Sequence, residues 1–234
     1  MKRLIVSAII MVIVSFNAIA QKEPGTTTIY PRIGLNLSKM SEDVIYTTAN
    51  NWSDYTIKPK FKLGLTVGAE VQHQFSTFTG ASIGLLYSQQ GTGYSDHESE
   101  GTTEYWRITD WKTTLHYLNM PILLVENIGY SGFSVKAGIQ PGLLLDARSK
   151  NSEEYGNIVD GYRVRDDASS STEGDVKDAF RHFDLSVPIG IAYERNNFAI
   201  DLRYNIGLLK QYKYFDEHVR NQSIVLTFGY GLDL

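Results

Sequence analysis

The stretch FKLGLTVGAEVQ, residues 61–72, decides the fold class, because its residues alternate in character with a period of two. Odd positions, from Phe61 to Val71, carry bulky apolar side chains or alanine. Even positions, from Lys62 to Gln72, carry glycine, polar or charged residues. Successive side chains of a β-strand point to opposite faces, so the pattern predicts a strand with one apolar and one polar face.

The same alternation recurs along the rest of the chain. Four more segments show it clearly, at 133–148, 182–194, 198–208 and 223–232. Three segments show it more weakly, at 30–38, 78–90 and 111–126, and in 111–126 apolar residues occupy both faces. Together these segments predict eight strands.

The connections between the predicted strands alternate in length. Long loops are predicted near 39–58, 91–110, 149–180 and 209–221, and short turns near 75–77, 127–132 and 195–197. All long loops then leave from one end, which is typical of outer-membrane barrels with short periplasmic turns and longer extracellular loops. We therefore predict an all-β fold, an eight-stranded antiparallel up-and-down transmembrane β-barrel over residues 21–234.

The first twenty residues are predicted to form a secretory signal peptide. Lys2 and Arg3 give a positive start, an apolar run follows to Phe16, and residues 18–20 form an Ala-x-Ala cleavage signal. A retained anchor helix is the alternative, but the segment is short for a membrane span. We expect the chain to cross the inner membrane and to reside in the cell outer membrane.

The polar face is predicted to line the lumen. A soluble barrel turns its apolar face inward, whereas a membrane barrel turns that face to lipid. The apolar face is bulky and uncharged through five strands, and a Lys or Arg at the membrane midplane costs about 2–4 kcal/mol. The polar face is rich in glycine, and its charges are nearly balanced. The predicted lumen network consists of Arg32, Lys62, Glu70, Lys136, Asp146, Arg148, Asp184, Glu194, Asp201 and Arg203.

The composition excludes several classes of function. The chain has no Cys, which excludes disulfide scaffolds, zinc knuckles and thiol catalysis. Its 26 acidic and 22 basic residues argue against a nucleic-acid partner. Aromatic residues fall near the predicted strand ends, as a membrane-interface girdle requires.

Three segments resemble a known family. They are RIGLNLS at 32–38, YLNMPILL at 117–124 and KAGIQPGLLL at 136–145. They are similar to the Bacteroidetes-type outer-membrane β-barrel family, often labelled porin-like or PorT-type, over nearly all of the mature chain. The resemblance implies an eight-stranded barrel and supplies no catalytic residue. The chain ends in Leu234, where many outer-membrane barrels end in an aromatic residue.

No catalytic, cofactor-binding or metal-ligating residue is predicted, and we expect no cofactor and no enzymatic activity. His182, Asp184 and Ser186 have the residue types of a hydrolytic triad and share one strand face. Residues two apart on a strand are about 6.5–7 Å apart, however, which favours polar packing over a triad. The other histidines are scattered and suggest no metal spacing.

The predicted loops carry most of the negative charge. Acidic residues cluster between Asp96 and Glu104 and between Asp160 and Asp175. Such clusters can bind divalent cations that also bridge lipopolysaccharide, although neither has an EF-hand pattern. Solvated acidic loops are the commoner case.

The sequence leaves three functions open. The first is a structural or surface-interaction protein with a lumen filled by polar and charged side chains and long acidic extracellular loops. The second is a small passive channel, and the third is a lipid-modifying barrel hydrolase. The expected partners are outer-membrane lipids and lipopolysaccharide, together with the barrel assembly machinery and periplasmic chaperones during biogenesis. The sequence names no extracellular ligand.

Overall fold

The computed structural model describes residues 22–41, 44–47, 54–166, 169–213 and 218–234. The predicted signal peptide, residues 1–20, lies outside these ranges. Within them the chain forms one large antiparallel sheet, a separate two-stranded hairpin and a short 3-10 helix. Among the described residues, no helix is both long enough and apolar enough to cross a membrane.

The strands are numbered along the chain. The first eight are β1 (Thr27–Met40), β2 (Val44–Thr47), β3 (Asp54–Ile57), β4 (Pro59–Lys60), β5 (Lys62–Gln74), β6 (Thr79–Tyr94), β7 (His97–Glu100) and β8 (Glu104–Asn119). The others are β9 (Ile122–Asn127), β10 (Phe133–Val159), β11 (Tyr162–Arg165), β12 (Ser170–Asp175), β13 (Phe183–Arg195), β14 (Phe198–Gly207), β15 (Asn221–Tyr230) and β16 (Leu232–Asp233). The 3-10 helix at Lys177–Ala179 precedes β13.

Eight barrel strands close into a ring that follows the order of the chain. β1 pairs with β5, β5 with β6, and β6 with β8 and β9, which together make one barrel strand interrupted at Met120 and Pro121. β8 and β9 pair with β10, and β13, β14 and β15 follow in turn. β15 pairs back with β1, which closes the ring. All these pairings are antiparallel, so the predicted up-and-down barrel is confirmed.

Short turns join the barrel strands at one end, as predicted. The turn between β13 and β14 contains only Asn196 and Asn197, whose φ angles are 51° and 66°. Asparagine tolerates this left-handed region, and two such residues in succession favour the tight hairpin turn that suits a twisted sheet. We call this side of the barrel the turn end and the opposite side the loop end.

The barrel turns its polar face inward. Along β1, Arg32, Asn36 and Ser38 are buried, whereas Ile33 and Leu35 between them are exposed on the outer surface. The polar groups therefore hydrogen-bond one another inside, and the apolar side chains form the outer surface that faces lipid.

The segment with ambiguous facing, residues 111–126, has an apolar inner face over much of its length. Leu115, Tyr117, Leu123 and Val125 are buried in the lumen, whereas Leu124 is exposed on the outside. Apolar residues occupy both sets of positions because parts of the lumen itself are apolar.

A β-bulge in β10 reverses the facing of two charged residues. The register of β10 against β8 shifts between Leu144 and Asp146. One extra residue turns the following side chains to the opposite face. Ala147 is therefore fully buried, and Asp146 and Arg148 lie outside, with Arg148 Nε 3.2 Å from Asp146 Oδ2. The prediction that Asp146 and Arg148 line the lumen is wrong.

Two of the predicted long loops are mostly β-structure. β8 and β10 continue past the barrel and stay paired as far as Glu104 and Asn157. β7 pairs with β8, and β11 and β12 pair with β10. We call this extension, the described residues of 97–109 and 150–175, the arm. The sequence predicts loops near 91–110 and 149–180 because polar residues occupy both faces of much of the arm. This removes the alternation of apolar and polar residues that indicates a strand.

The other two predicted loops differ from each other. The loop near 39–58 contains the hairpin of β2 and β3. In the described part of the loop near 209–221, Tyr212 forms an isolated bridge with Phe180, and Asn221 already begins β15.

We expect Gly138→Val to prevent folding of the barrel. Gly138 lies where β10 runs against β9, and a Cβ atom there would collide with the carbonyl oxygen of Ile122. The folded fraction, measured by heat-modifiable migration in detergent gels, should therefore fall sharply.

Gly174→Val is the matched control for this substitution. A Cβ atom at Gly174, in β12, meets nothing within 4 Å. We expect this variant to fold like the unaltered chain. Equal folded fractions for the two variants would contradict the close packing of β10 against β9.

Candidate functional site

Five charged side chains meet inside the lumen: Arg32, Glu70, Lys136, Asp201 and Arg203. They project inward from β1, β5, β10 and β14, and their side chains are at most 5% exposed. We call this group the ionic cluster. The structure thus brings together five of the ten predicted lumen residues.

Arg203 contacts both carboxylates of the ionic cluster. Its Nη1 and Nη2 atoms both donate to the Glu70 carboxylate, and the Nη2 distance is 2.8 Å. On the Asp201 side, Nε lies 2.6 Å and Nη2 lies 2.7 Å from the carboxylate oxygens. Arg32 Nε lies 3.1 Å from Glu70 Oε2, and Lys136 Nζ lies 2.9 Å from Asp201 Oδ2. Buried charges are costly unless they are paired, so these contacts fix four strands relative to one another.

Glycines on neighbouring strands make room for the ionic cluster. A Cβ atom at Gly84 of β6 would lie 2.6 Å from Glu70 Cγ, and one at Gly190 of β13 would lie 2.8 Å from Arg203 Cγ. The lumen of an eight-stranded barrel is only wide enough for its own side chains. The glycines of the polar face therefore allow long charged side chains to fit.

An apolar cap closes the lumen at the loop end. It consists of Met40, Leu115, Tyr117, Leu144, Ala147, Phe180 and Val219, all buried. Phe180 and Val219 come from the connections that flank β13 and β15, and the others come from barrel strands. Tyr117 donates its hydroxyl to Gln211 Oε1 at 2.7 Å, which ties one connection to the lumen wall. Sequence reasoning missed the cap because three of its seven residues, Met40, Phe180 and Val219, lie in predicted loops.

At the turn end, the residues before β1 close the lumen. Lys22 Nζ lies 3.3 Å from Glu194 Oε1 and 2.7 Å from Asp233 Oδ1. Tyr30 donates its hydroxyl to Glu194 Oε2 at 2.6 Å. Glu194 therefore faces the lumen as predicted, but it belongs to this separate group and not to the ionic cluster.

Two other predicted lumen residues also lie apart from the ionic cluster. Lys62 sits at the start of β5, near the loop end, and is half-buried. Asp184 is buried on β13, and its Oδ1 atom accepts the Leu185 backbone N–H at 2.8 Å. Polar residues thus occupy several levels of the lumen, separated by apolar ones.

The structure does not assemble a hydrolytic triad. His182 is exposed, and its Nε2 atom lies 3.5 Å from Lys213 Nζ. Ser186 is buried, and its hydroxyl accepts from the Gln140 side-chain amide and donates to the Gln140 backbone carbonyl, both at 3.4 Å. Across the described ranges, no group of three or more His, Cys, Asp or Glu side chains could hold a metal ion.

Arginines pair with two acidic residues of the arm. Arg163 of β11 contacts both Glu98 and Glu100 of β7, and Arg107 Nε lies 2.9 Å from Glu98 Oε2. Hydrogen bonds from Arg163 and Arg107 hold the pKa of the Glu98 carboxyl below its usual value. The Arg163 guanidinium also lies 5.1 Å from the centre of the Tyr105 ring. Glu98 and Glu100 are thus held in arginine pairs that join β7 to β8 and β11.

The arm combines a packed base with an exposed apolar surface. Tyr94, Trp106 and Ile108 are buried together at its base, with Trp111 packed against them. Large apolar side chains are also exposed on the arm, at Tyr155, Val159, Tyr162 and Val164. Exposed apolar groups on a folded, charged element are typical of interaction surfaces.

Several solved structures are similar to this chain at low sequence identity. The fold is similar to the crystal structure of Ail, the attachment invasion locus protein of Yersinia pestis, at 15% identity and a TM-score of 0.38, covering 89% of this chain and 99% of that one. It is also similar to Neisserial surface protein A, at 10% identity and a TM-score of 0.37, covering 86% and 96%. The outer membrane protein AlkL shows 8% identity and a TM-score of 0.40, covering 91% and 92%. No curated protein matches the sequence.

The sequence itself matches one family. The family's sequence model, described as an outer membrane protein beta-barrel domain, covers residues 19–212, which is most of the chain. The barrel has the features that this description requires, with an apolar outer surface and a polar lumen. This chain therefore belongs to the outer membrane protein beta-barrel domain family and resides in the cell outer membrane.

Proposed function

We propose that the protein is a closed outer-membrane anchor that presents the arm at the cell surface for interaction with another molecule. The observation that carries this proposal is the filled lumen, closed by the apolar cap at one end and by the ionic cluster farther in. Two lumen cavities lined by described residues measure about 30 and 10 Å³. A cavity needs about 10–15 Å³ to hold one water molecule, so these volumes do not form a passage for solutes.

The arm supports the interaction role. Its sheet ends in β7 on one side and in β11 on the other, and every side chain of β11 is exposed. Edge strands with exposed apolar residues readily accept a partner. Along β11, the apolar residues Tyr162 and Val164 alternate with the charged residues Arg163 and Arg165. Tyr162 is the more exposed of the two apolar residues, at 77%.

We propose that the arm lies outside the cell because short turns face the periplasm in bacterial outer-membrane barrels. The exposed outer surface, which includes Leu63, Ile83 and Leu202, supports outer-membrane lipids and lipopolysaccharide as partners. The barrel assembly machinery and periplasmic chaperones are the proposed partners during biogenesis. We also propose that the protein is not an enzyme, since His182 and Ser186 have separate contacts.

We expect the purified protein to show no stable conductance in planar bilayers. The apolar cap and the ionic cluster block the lumen in series, so ions would have to cross both. Discrete, reproducible current steps that depend on protein concentration would instead support the passive channel.

We expect a Tyr162→Cys variant to react with a membrane-impermeant maleimide on intact cells. The chain has no Cys of its own, so labelling reports this position alone. If the maleimide carries a photoreactive group, illumination should then crosslink the arm to a molecule other than lipid or lipopolysaccharide.

Tyr130→Cys is the matched control, because Tyr130 is 67% exposed but lies in a short turn at the opposite end. It should react only after the outer membrane is permeabilised. If Tyr130→Cys but not Tyr162→Cys is labelled on intact cells, the barrel has the opposite orientation, with the short turns outside the cell. The absence of crosslinked partners at Tyr162 would contradict the interaction role.

A further inference from the structure

The ionic cluster carries one more positive charge than negative. Arg32, Lys136 and Arg203 face Glu70 and Asp201, and all five side chains are withdrawn from solvent. An unbalanced charge in a region of low dielectric is unfavourable unless a counterion lies close to it.

A cavity of about 30 Å³ lies between the ionic cluster and the turn end. Its charged lining residues are Lys22, Arg32, Lys136 and Glu194. Glu194, the one carboxylate among them, already accepts the Tyr30 hydroxyl and pairs with Lys22, which in turn contacts the half-exposed Asp233. The other two cations of the lining, Arg32 and Lys136, pair with Glu70 and Asp201 of the ionic cluster, which do not line the cavity.

Arg32 supplies a free donor for this cavity. Its side chain is 1% exposed, and within the described part of the chain its Nη1 atom has no hydrogen-bond partner. Its Nε atom lies 3.1 Å from Glu70, and its Nη2 atom lies 3.8 Å from Asp201, so the carboxylates engage the other side of the guanidinium. A guanidinium presents five N–H donors, and a buried one needs an acceptor for each.

We propose that this cavity binds a monovalent anion of halide size, chloride under ordinary conditions, which accepts a hydrogen bond from Arg32 Nη1. The anion balances the excess charge, which a water molecule alone does not do. The volume accommodates about two water-sized occupants, so it suits a halide with one water molecule and excludes carboxylates and phosphates. That water molecule can donate to Gln74 Oε1, a buried acceptor that lines the cavity and has no partner among the described residues.

The direct test is diffraction from crystals of the full barrel grown with bromide in place of chloride. We expect one anomalous peak within hydrogen-bond distance of Arg32 Nη1. Peaks confined to exposed lysines would identify an adventitious ion only, and an ordered water at Arg32 without anomalous signal would overturn the proposal.

A solution measurement tests the same site without a crystal. The unfolding temperature in detergent should rise with chloride concentration and reach a plateau. Gluconate at equal ionic strength should give no such rise, since gluconate is too large for the cavity. Identical unfolding temperatures in the two salts would overturn the proposal.

Two variants separate this site from general salt effects. Glu194→Gln removes the carboxylate from the lining and keeps an acceptor for the Tyr30 hydroxyl, so the half-saturating chloride concentration should fall several-fold. Lys150→Gln, which alters an exposed pair with Glu173 on the arm, is the matched control and should leave that concentration unchanged. An equal shift in both variants would contradict a site at Arg32.

Discussion

The contacts of Arg203 with Glu70 and Asp201 are the interaction on which the rest of the structure depends. A narrow barrel in lipid must fill its lumen with its own side chains, and its charged groups must neutralise one another there. The ionic cluster meets both conditions, because it pairs residues from four strands and lies against glycines that leave it space. The outer surface can then be largely apolar where it meets the membrane.

The closed lumen also determines where the protein can act. With the apolar cap at the loop end and the Lys22 group at the turn end, little of the interior is accessible to a solute. The accessible chemistry lies on the arm, where arginine–carboxylate pairs hold strands together and tyrosines remain exposed. The barrel and the proposed interaction surface are thus separate parts of one continuous sheet, joined through β8 and β10.

The sequence predicts the barrel and the centre of its lumen well, because both follow from strict alternation. Arg32, Glu70, Lys136, Asp201 and Arg203 all lie on regular stretches of strand, with Lys136 before the bulge of β10, so the odd or even position of each residue gives the face that it occupies. Asp146 and Arg148 lie beyond the bulge, where the extra residue makes odd and even positions exchange faces. The alternation in the sequence does not reveal this bulge. The arm and the apolar cap do not follow from the sequence pattern, because β7, β12 and residues 150–154 are polar on both faces and the cap joins residues distant in the chain.

A double-mutant cycle between Glu70 and Arg203 tests the central claim most directly. The free energy of unfolding is measured in lipid bilayers for Glu70→Gln, for Arg203→Met and for both together. Removing one partner of a buried pair costs about 3–5 kcal/mol, because the other charge is left uncompensated. The account predicts that the double variant loses less stability than the sum of the single variants, with a coupling of about 0.5–3 kcal/mol. Strictly additive losses would show that the two side chains do not meet in the lumen.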